Sequence, residues 1–303
     1  MPFAAWTVAH RAAPRWRRDL AWAAFFIAPS LAGFVAFVLF PVFFSLGLST
    51  LEWNLLTPPV WVGLQNYVRI LHDQFFWRVM GNTVYYTAGT VPLGVALSLA
   101  LALALNYRLP GKLALRTVYF MPVVSSTVAV AMVWRWIYNT DFGLLNTFLR
   151  RLGIPPVGWL TTTTWAMPAV ILMSVWKSLG YGMVIFLAGL QAIPHTYYDA
   201  AAVDGASGWQ RFWRITLPLL SPTTFFVTVM SVISSFQVFG QVYVMTGGGP
   251  AYATSTIVFH IYQQAFEAFR MGYASAMAWA LFVVIFVFTL VQMRYQHTWV
   301  HYE

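Results

Sequence analysis

Residues 197–222 read YYDAAAVDGASGWQRFWRITLPLLSP, and they stand apart from the chain on either side. The flanks are apolar over long distances. This stretch holds Asp199 and Asp204, from a total of only 8 acidic residues, together with Arg211, Arg214 and a run of alanines. Pro194 closes the helix before it, because proline lacks the amide that a helix interior requires. Residues 196–203 then favour a short helix. Ala200, Ala201 and Ala202 supply propensity, and Asp199 in its first turn suits the helix dipole. Gly205 follows Asp204 as the left-handed residue that ends a helix. Ser207 can cap a second short helix carrying Trp209, Arg211, Phe212 and Arg214. Pro218 falls near the start of the next apolar segment, where proline is tolerated. The pattern is helix, glycine hinge, helix. A solvated loop would be more polar and would need neither the alanines nor the aromatic residues. Small side chains let another backbone approach closely and Asp199 offers one charged anchor, so the segment reads as a docking surface.

Composition says what carries that surface. Hydrophobic residues make up 60% of the 303 positions and charged residues 8%, with a mean hydropathy of +0.67. Soluble domains carry about 25% charged residues, so a water-soluble fold is excluded. Charge-free runs cover residues 20–51, 79–107, 117–134, 152–176, 178–198, 215–266 and 271–293. A bilayer needs ~20 apolar residues per crossing. The run 215–266 is too long for one crossing, and Thr246-Gly247-Gly248-Gly249-Pro250 breaks it. An all-α membrane protein with six spans follows, at about 22–49, 82–106, 115–138, 165–191, 216–245 and 272–294. Residues 1–21 and 295–303 are tails, and 192–215 is the connection that contains the docking segment. The basic residues near the N-terminus precede an apolar run too long for a cleavable signal, so the first helix is expected to be retained.

The net charge of +9 reads as topology. With the N-terminus in the cytoplasm, the inner segments hold Arg11, Arg15, Arg17, Arg18, Arg108, Lys112, Arg116, Arg211, Arg214 and Arg294. The outer segments hold fewer over longer loops: Arg69, Arg78, Arg135, Arg150, Arg151 and Arg270. That asymmetry puts both termini in the cytoplasm. Nucleic acid is excluded as a partner, since the charge is not clustered with stacking aromatics outside the membrane. The long outer connections are 50–81, 139–164 and 246–271, and the last places Tyr252, Phe259, Tyr262, Phe266 and Phe269 at spacings that predict one aromatic helical face at the membrane interface.

Enzyme chemistry finds no constellation. There are no cysteines, and His10, His72, His195, His260, His297 and His301 lack metal-ligand spacing. No carboxylate pair lies within a span, and no G-x-x-x-x-G-K-[ST] loop is present to cradle a nucleotide. A gradient-driven transporter should show intramembrane carboxylates and broken-helix repeats in both halves, and neither is visible. Polar groups within spans mark a different feature. Ser174, Lys177, Ser178 and Tyr181 follow i, i+3, i+4, i+7 on one helical face. Thr224, Thr228, Ser231, Ser234, Ser235 and Gln237 mark a polar side of the fifth span, continuing to Gln241. Such groups face a cavity or glue helices together. Lys177 is the sharpest, because a charge at bilayer depth costs ~2.5–3.5 kcal/mol on insertion scales.

The stretch YDAAAVDGASGWQRFWRITLPLLSP resembles the cytoplasmic coupling loop of ATP-binding-cassette (ABC) importer permeases, which runs E-A-A, D-G-A, then I-x-L-P. Ala200, Ala201, Asp204, Gly205, Ala206, Ile215, Leu217 and Pro218 match as they stand, with Tyr198 beside them. Asp199 replaces the usual glutamate, keeping the carboxylate on a shorter arm. GLQNYVRILHDQFFWRVMGNTVYYT, GLLNTFLRRLG, GLQAIP, VMTGGGPAYATST and GYASAMAW extend the resemblance to the carbohydrate branch, the relatives of maltose and glycerol-phosphate permeases. That resemblance implies a type I importer fold in a bacterial or archaeal plasma membrane. It also implies a second, different permease chain, two ATPase subunits and an extracellular or periplasmic binding protein. ATP and magnesium would lie on the ATPase, with no cofactor on this chain. Aligned through GLQAIP and GGP, the sugar contacts of the maltose type fall at Ser174, Lys177, Ser178, Tyr181, Ser231, Ser234, Ser235 and Val238. The solute implied is a sugar or sugar derivative.

Overall fold

A computed structural model describes residues 15–107 and 110–300. Most of the N-terminal tail, Arg108 of the inner basic connection and the last residues of the C-terminal tail lie outside the described residues. Four helices are long and apolar enough to cross a membrane: Trp22–Ser49, Gln74–Asn106, Thr163–Ala192 and Met271–Gln296. These are the first, second, fourth and sixth expected spans. The other two are broken. Lys112–Val124 and Thr127–Ile137 meet at 100°, and Gly208–Leu219 and Ser221–Phe236 meet at 63°.

Each break has a cause in the sequence. In the third span Pro122 removes an amide from the helix, and Ser125 takes an extended conformation. In the fifth, Pro218 and Pro222 flank Leu220, and the helix that starts at Gly208 passes through a π-helical turn at Phe212–Thr216 before it reaches them. The expected continuous helix over 216–245 is therefore corrected. It begins earlier, bends, ends at Phe236 and resumes as Gly240–Met245 after three residues outside it. The short helix around Arg211 is the first leg of this span and not a separate unit.

Thr163–Ala192 is the central helix. Its buried side includes Val170, Met173, Met183 and Phe186, and it packs between the second span and Lys112–Val124. Gly180 allows the second of these contacts. A Cβ there would meet the backbone of Tyr119 and Phe120, so no other residue lets these two helices approach as closely.

Three apolar clusters make up the core of the bundle. One joins Leu105, Phe186, Leu190, Ile193 and Leu220 near the docking segment. A second, around Tyr138, Val170, Met173 and Val242, takes in Trp159 and Leu160 of the loop 139–164. The third gathers Ile70, Phe76, Val79, Ile257 and Met277 beneath the long loops. Those loops are tied down by polar side chains. Asn82 Nδ2 donates to the carbonyls of Tyr252 and Ser255, each at 2.9 Å. Asn146 is buried and accepts from the Val157 amide at 3.0 Å and from Trp159 Nε1 at 3.1 Å.

Two further expectations need correction. Among the described residues the regular structure is helical except that Leu51–Glu52 pairs antiparallel with Val60–Trp61. The aromatic residues of 246–271 do not form one interfacial face. Phe259 is buried against Phe239 and Tyr243, while Tyr252 and Phe269 stand outside helices at φ +62° and +54°.

Candidate functional site

The segment between the fourth and fifth spans folds as its capping residues dictate. A helix runs His195–Val203. It starts one residue earlier than expected, which puts Asp199 in the second turn rather than the first. At its end Gly205 adopts φ +73°. The Ala206 amide reaches the Ala201 carbonyl at 2.8 Å, and the Gly205 amide reaches Ala202 at 3.1 Å. This pair of bonds satisfies the last carbonyls of the helix. Ser207 and Gln210 then form a reciprocal cap that opens the next helix.

The helix has two faces. Tyr198 packs on the core cluster, and its hydroxyl lies 3.0 Å from Thr216 Oγ1. Ala201, Ala206, Ile215, Leu217 and Pro218 are half-buried, so they hold the segment to the bundle. Asp199, Ala200, Asp204 and Gly205 are exposed. Val203 is exposed to 88%, and the sequence reading passed over it. Its signal was available: it is a β-branched apolar side chain that directly follows the three alanines.

A cleft of about 180 Å3 opens between the second, fourth and fifth spans. Ser174, Ser178, Tyr181, Ser231, Ser234, Ser235, Val238 and Gln241 all line it. The break after Phe236 makes this possible, since it turns Val238 and Gln241 onto the same opening as Ser231 and Ser234. The second span adds Tyr86, Thr90, Val91, Gly94 and Ser98, none of them identified from sequence. Tyr86, Thr90, Gly94 and Ser98 recur at every fourth residue, a helical face that the sequence displays. Gly182 lies opposite Ser98, and a Cβ there would meet the serine hydroxyl at 2.6 Å.

Four sequence candidates lie elsewhere. Lys177 does not line the cleft. Its Nζ donates to the carbonyls of Pro122 and Ser125, both at 3.1 Å, at the break in the third span. Gln237 is exposed on the far side of the break. Thr224 and Thr228 bond back to the carbonyls of Leu220 and Thr224, at 3.0 and 2.7 Å.

Seven of the polar groups that line the cleft fall into two sets. The hydroxyls of Ser98, Ser178 and Ser235 donate to the carbonyls of Leu179, Val175 and Val232 and keep acceptor capacity. Tyr181, Ser231, Ser234 and Gln241 make no side-chain hydrogen bond to another described residue, so their donors and acceptors are open to whatever enters. Among the described residues, no group of three metal-ligating side chains comes together.

A broken-helix bundle enclosing a polar cleft, with a capped helix projecting at one end, is the architecture of an ABC importer permease. The chain belongs to the binding-protein-dependent transport system inner membrane component family, whose pattern matches residues 94–298. It is 40% identical to YesP, a probable ABC transporter permease protein of Bacillus subtilis, over 92% of this chain and 91% of that one. The trehalose/maltose transport system permease protein MalF of Thermococcus litoralis is 37% identical, over 88% of this chain and 91% of the relative. The sn-glycerol-3-phosphate transport system permease protein UgpA of Agrobacterium fabrum is 35% identical, over 91% and 94%. The fold superposes on a bacterial ABC transporter involved in the import of the acidic polysaccharide alginate, with a TM-score of 0.82 and 26% identity, covering 94% of this chain and 97% of that one.

Proposed function

We propose that this permease forms one half of the membrane pathway of a binding-protein-dependent importer of a sugar or sugar derivative. The observation that carries the reading is the cleft, whose open groups are hydroxyls and one amide set between three spans. Hydroxyl-rich solutes are recognised by such groups, each able to donate and accept. The relatives named for trehalose, maltose and glycerol phosphate support the same solute class. At about 180 Å3 the cleft is smaller than the ~300–1,000 Å3 of a complete small-molecule site. A second, different permease chain facing it would supply the remainder.

The unit that does this work spans residues 22–294, with 192–215 as its coupling segment. Helix His195–Val203 sits in a groove of one of two ATPase subunits, presenting Asp199, Ala200, Val203 and Asp204, while Tyr198, Ala201 and Ala206 fasten it to the bundle. Ile215, Leu217 and Pro218 carry its displacement into the fifth span. Nucleotide and magnesium belong to the ATPase. The charge asymmetry places this helix and both termini in the cytoplasm, which leaves the loops 50–81, 139–164 and 246–271 outside, facing a solute-binding protein.

Reconstitution tests the whole reading. The complete importer in proteoliposomes should take up sugar only with ATP inside and binding protein outside. Uptake by this chain alone, driven by an ion gradient, would sink it.

A further inference from the structure

We infer that the solute crossing this permease is an uncharged, polyhydroxylated molecule, a neutral oligosaccharide, and not a sugar phosphate or a uronic-acid chain. The inference rests on the cleft being the path. It adds the one property on which the relatives divide, since their names include trehalose and maltose on one side and glycerol phosphate and alginate on the other.

Among the described residues, no charged side chain lines the cleft. Lys177, the cation in the middle of the fourth span, is a neighbour of Ser178 in sequence, yet its ammonium is held by the carbonyls of Pro122 and Ser125. Those carbonyls belong to the end of a broken helix, where the chain itself offers no amide partner. Withdrawing the lysine towards a solute would strand both. Two arginines nearer the loop end are likewise engaged: Arg78 donates to the Ala251 carbonyl at 2.6 Å, and Arg135 approaches that of Val244 at 3.5 Å. Backbone dipoles do not substitute, because the C-terminal end of Ser221–Phe236 and the start of Gly240–Met245 adjoin the same opening with opposite sign.

An anion in this half of the pathway loses hydration without gaining a cation from this chain, and an uncompensated charge away from water is strongly disfavoured. A hydroxyl loses far less. It recovers its bonds from Ser231, Ser234, Tyr181 and Gln241, none of which must break an existing side-chain bond to answer.

The test uses the complete importer in proteoliposomes, with its own binding protein. Radiolabelled neutral di- and trisaccharides are compared with uronic-acid oligosaccharides and sn-glycerol 3-phosphate. Uptake confined to the neutral set is expected. Uptake of an anionic probe overturns the inference and leaves the sugar-importer reading standing. Uptake of no probe, from an importer whose ATPase is active, overturns that reading itself.

A charge scan at Gln241 provides the second arm and reports on the permease itself. Gln241→Glu and Gln241→Lys should both lower uptake, by factors within about threefold of each other, because a neutral solute meets either charge as lost hydrogen bonding and local desolvation. An anionic solute would separate the two variants by on the order of a hundredfold or more, since one unit charge a few ångströms away interacts strongly even at moderate dielectric. That asymmetry would refute the inference. Unchanged uptake in both, in importers that assemble normally, would show that the cleft is not the path.

Discussion

Lys177 Nζ lies 3.1 Å from the carbonyl oxygen of Pro122, across the packed faces of the third and fourth spans. It reaches the Ser125 carbonyl at the same distance. The pair explains how a bare cation can sit in the middle of a membrane helix. Pro122 helps to break the third span, the break exposes carbonyls, and the ammonium satisfies them in place of the missing amides.

Lys177→Met should therefore damage the protein before it changes what is carried. A charge-assisted hydrogen bond contributes about 1.5–3 kcal/mol, and the variant leaves two carbonyls without a donor. We expect a lower melting temperature and reduced yield of the purified permease, with the ranking of solutes unchanged. Lys177→Arg should recover part of the stability. A shift in solute preference at full stability would assign the lysine to the path instead.

Gly205→Val should uncouple transport. The residue holds φ +73°, and a left-handed conformation costs roughly 1–2 kcal/mol for a residue with a side chain, more for a β-branched one. The bonds from Gly205 and Ala206 to Ala202 and Ala201 would loosen, and the helix would lose its fixed exit. Gly205→Asn, which tolerates this conformation, should retain most activity. ATP-driven uptake and ATPase stimulation by loaded binding protein measure both variants.

Asp199 and Val203 should be needed for the ATPase and dispensable for folding. Both are exposed. Asp199→Ala removes an anchor whose loss should weaken assembly roughly ten- to a hundredfold if it makes a charge-assisted contact. Asp199→Glu should be tolerated. Val203→Lys should weaken assembly as well, by placing charge where an apolar side chain meets its groove. The chain has no cysteine, so a thiol placed at Val203 and one in the ATPase groove should crosslink cleanly. Full assembly of Val203→Lys, with no crosslink, would remove this helix from the interface.

The loop end should lose stability in mild acid through His260. Its ring is buried against Phe75, with centroids 4.7 Å apart. Burial pushes its pKa below the ordinary 6.5, against the opposing pull of Asp73. A histidine held neutral in the fold contributes stability that is complete above the unfolded value and lost as pH falls through the folded one. Asp73 follows the same sign at lower pH. Burial works against its charge, yet hydrogen bonds from Tyr273, Phe75 and Phe76 hold its pKa below the ordinary 3.8. Melting temperature should fall between about pH 7 and pH 5, and His260→Phe should flatten that interval. An unchanged slope in the variant would clear His260 of the effect.

What the sequence determined by itself is local or compositional. Hydropathy runs located the candidate crossings, four of them single helices and two of them bent pairs, because a bilayer demands a fixed length of apolar helix whatever surrounds it. The docking segment was equally legible, since proline, glycine and serine act through their own backbone, and the Gly205 and Ser207 caps form where their chemistry requires. Eight of the cleft residues could be placed on polar helical faces or by resemblance in the same way. What only the tertiary structure decided is where those faces point and where the long helices give way. Proline marks the break points, but the bend at Ser125 and the gap between Phe236 and Gly240 rest on carbonyls that find donors elsewhere in the fold, Pro122 and Ser125 at Lys177 and Val238 at Thr256 Oγ1. Periodicity assigned that lysine to a face, but a flexible side chain on that face could reach the cleft or the neighbouring helix. The exposed carbonyls of the third span settled it, because a cation in low dielectric goes where unpaired acceptors are.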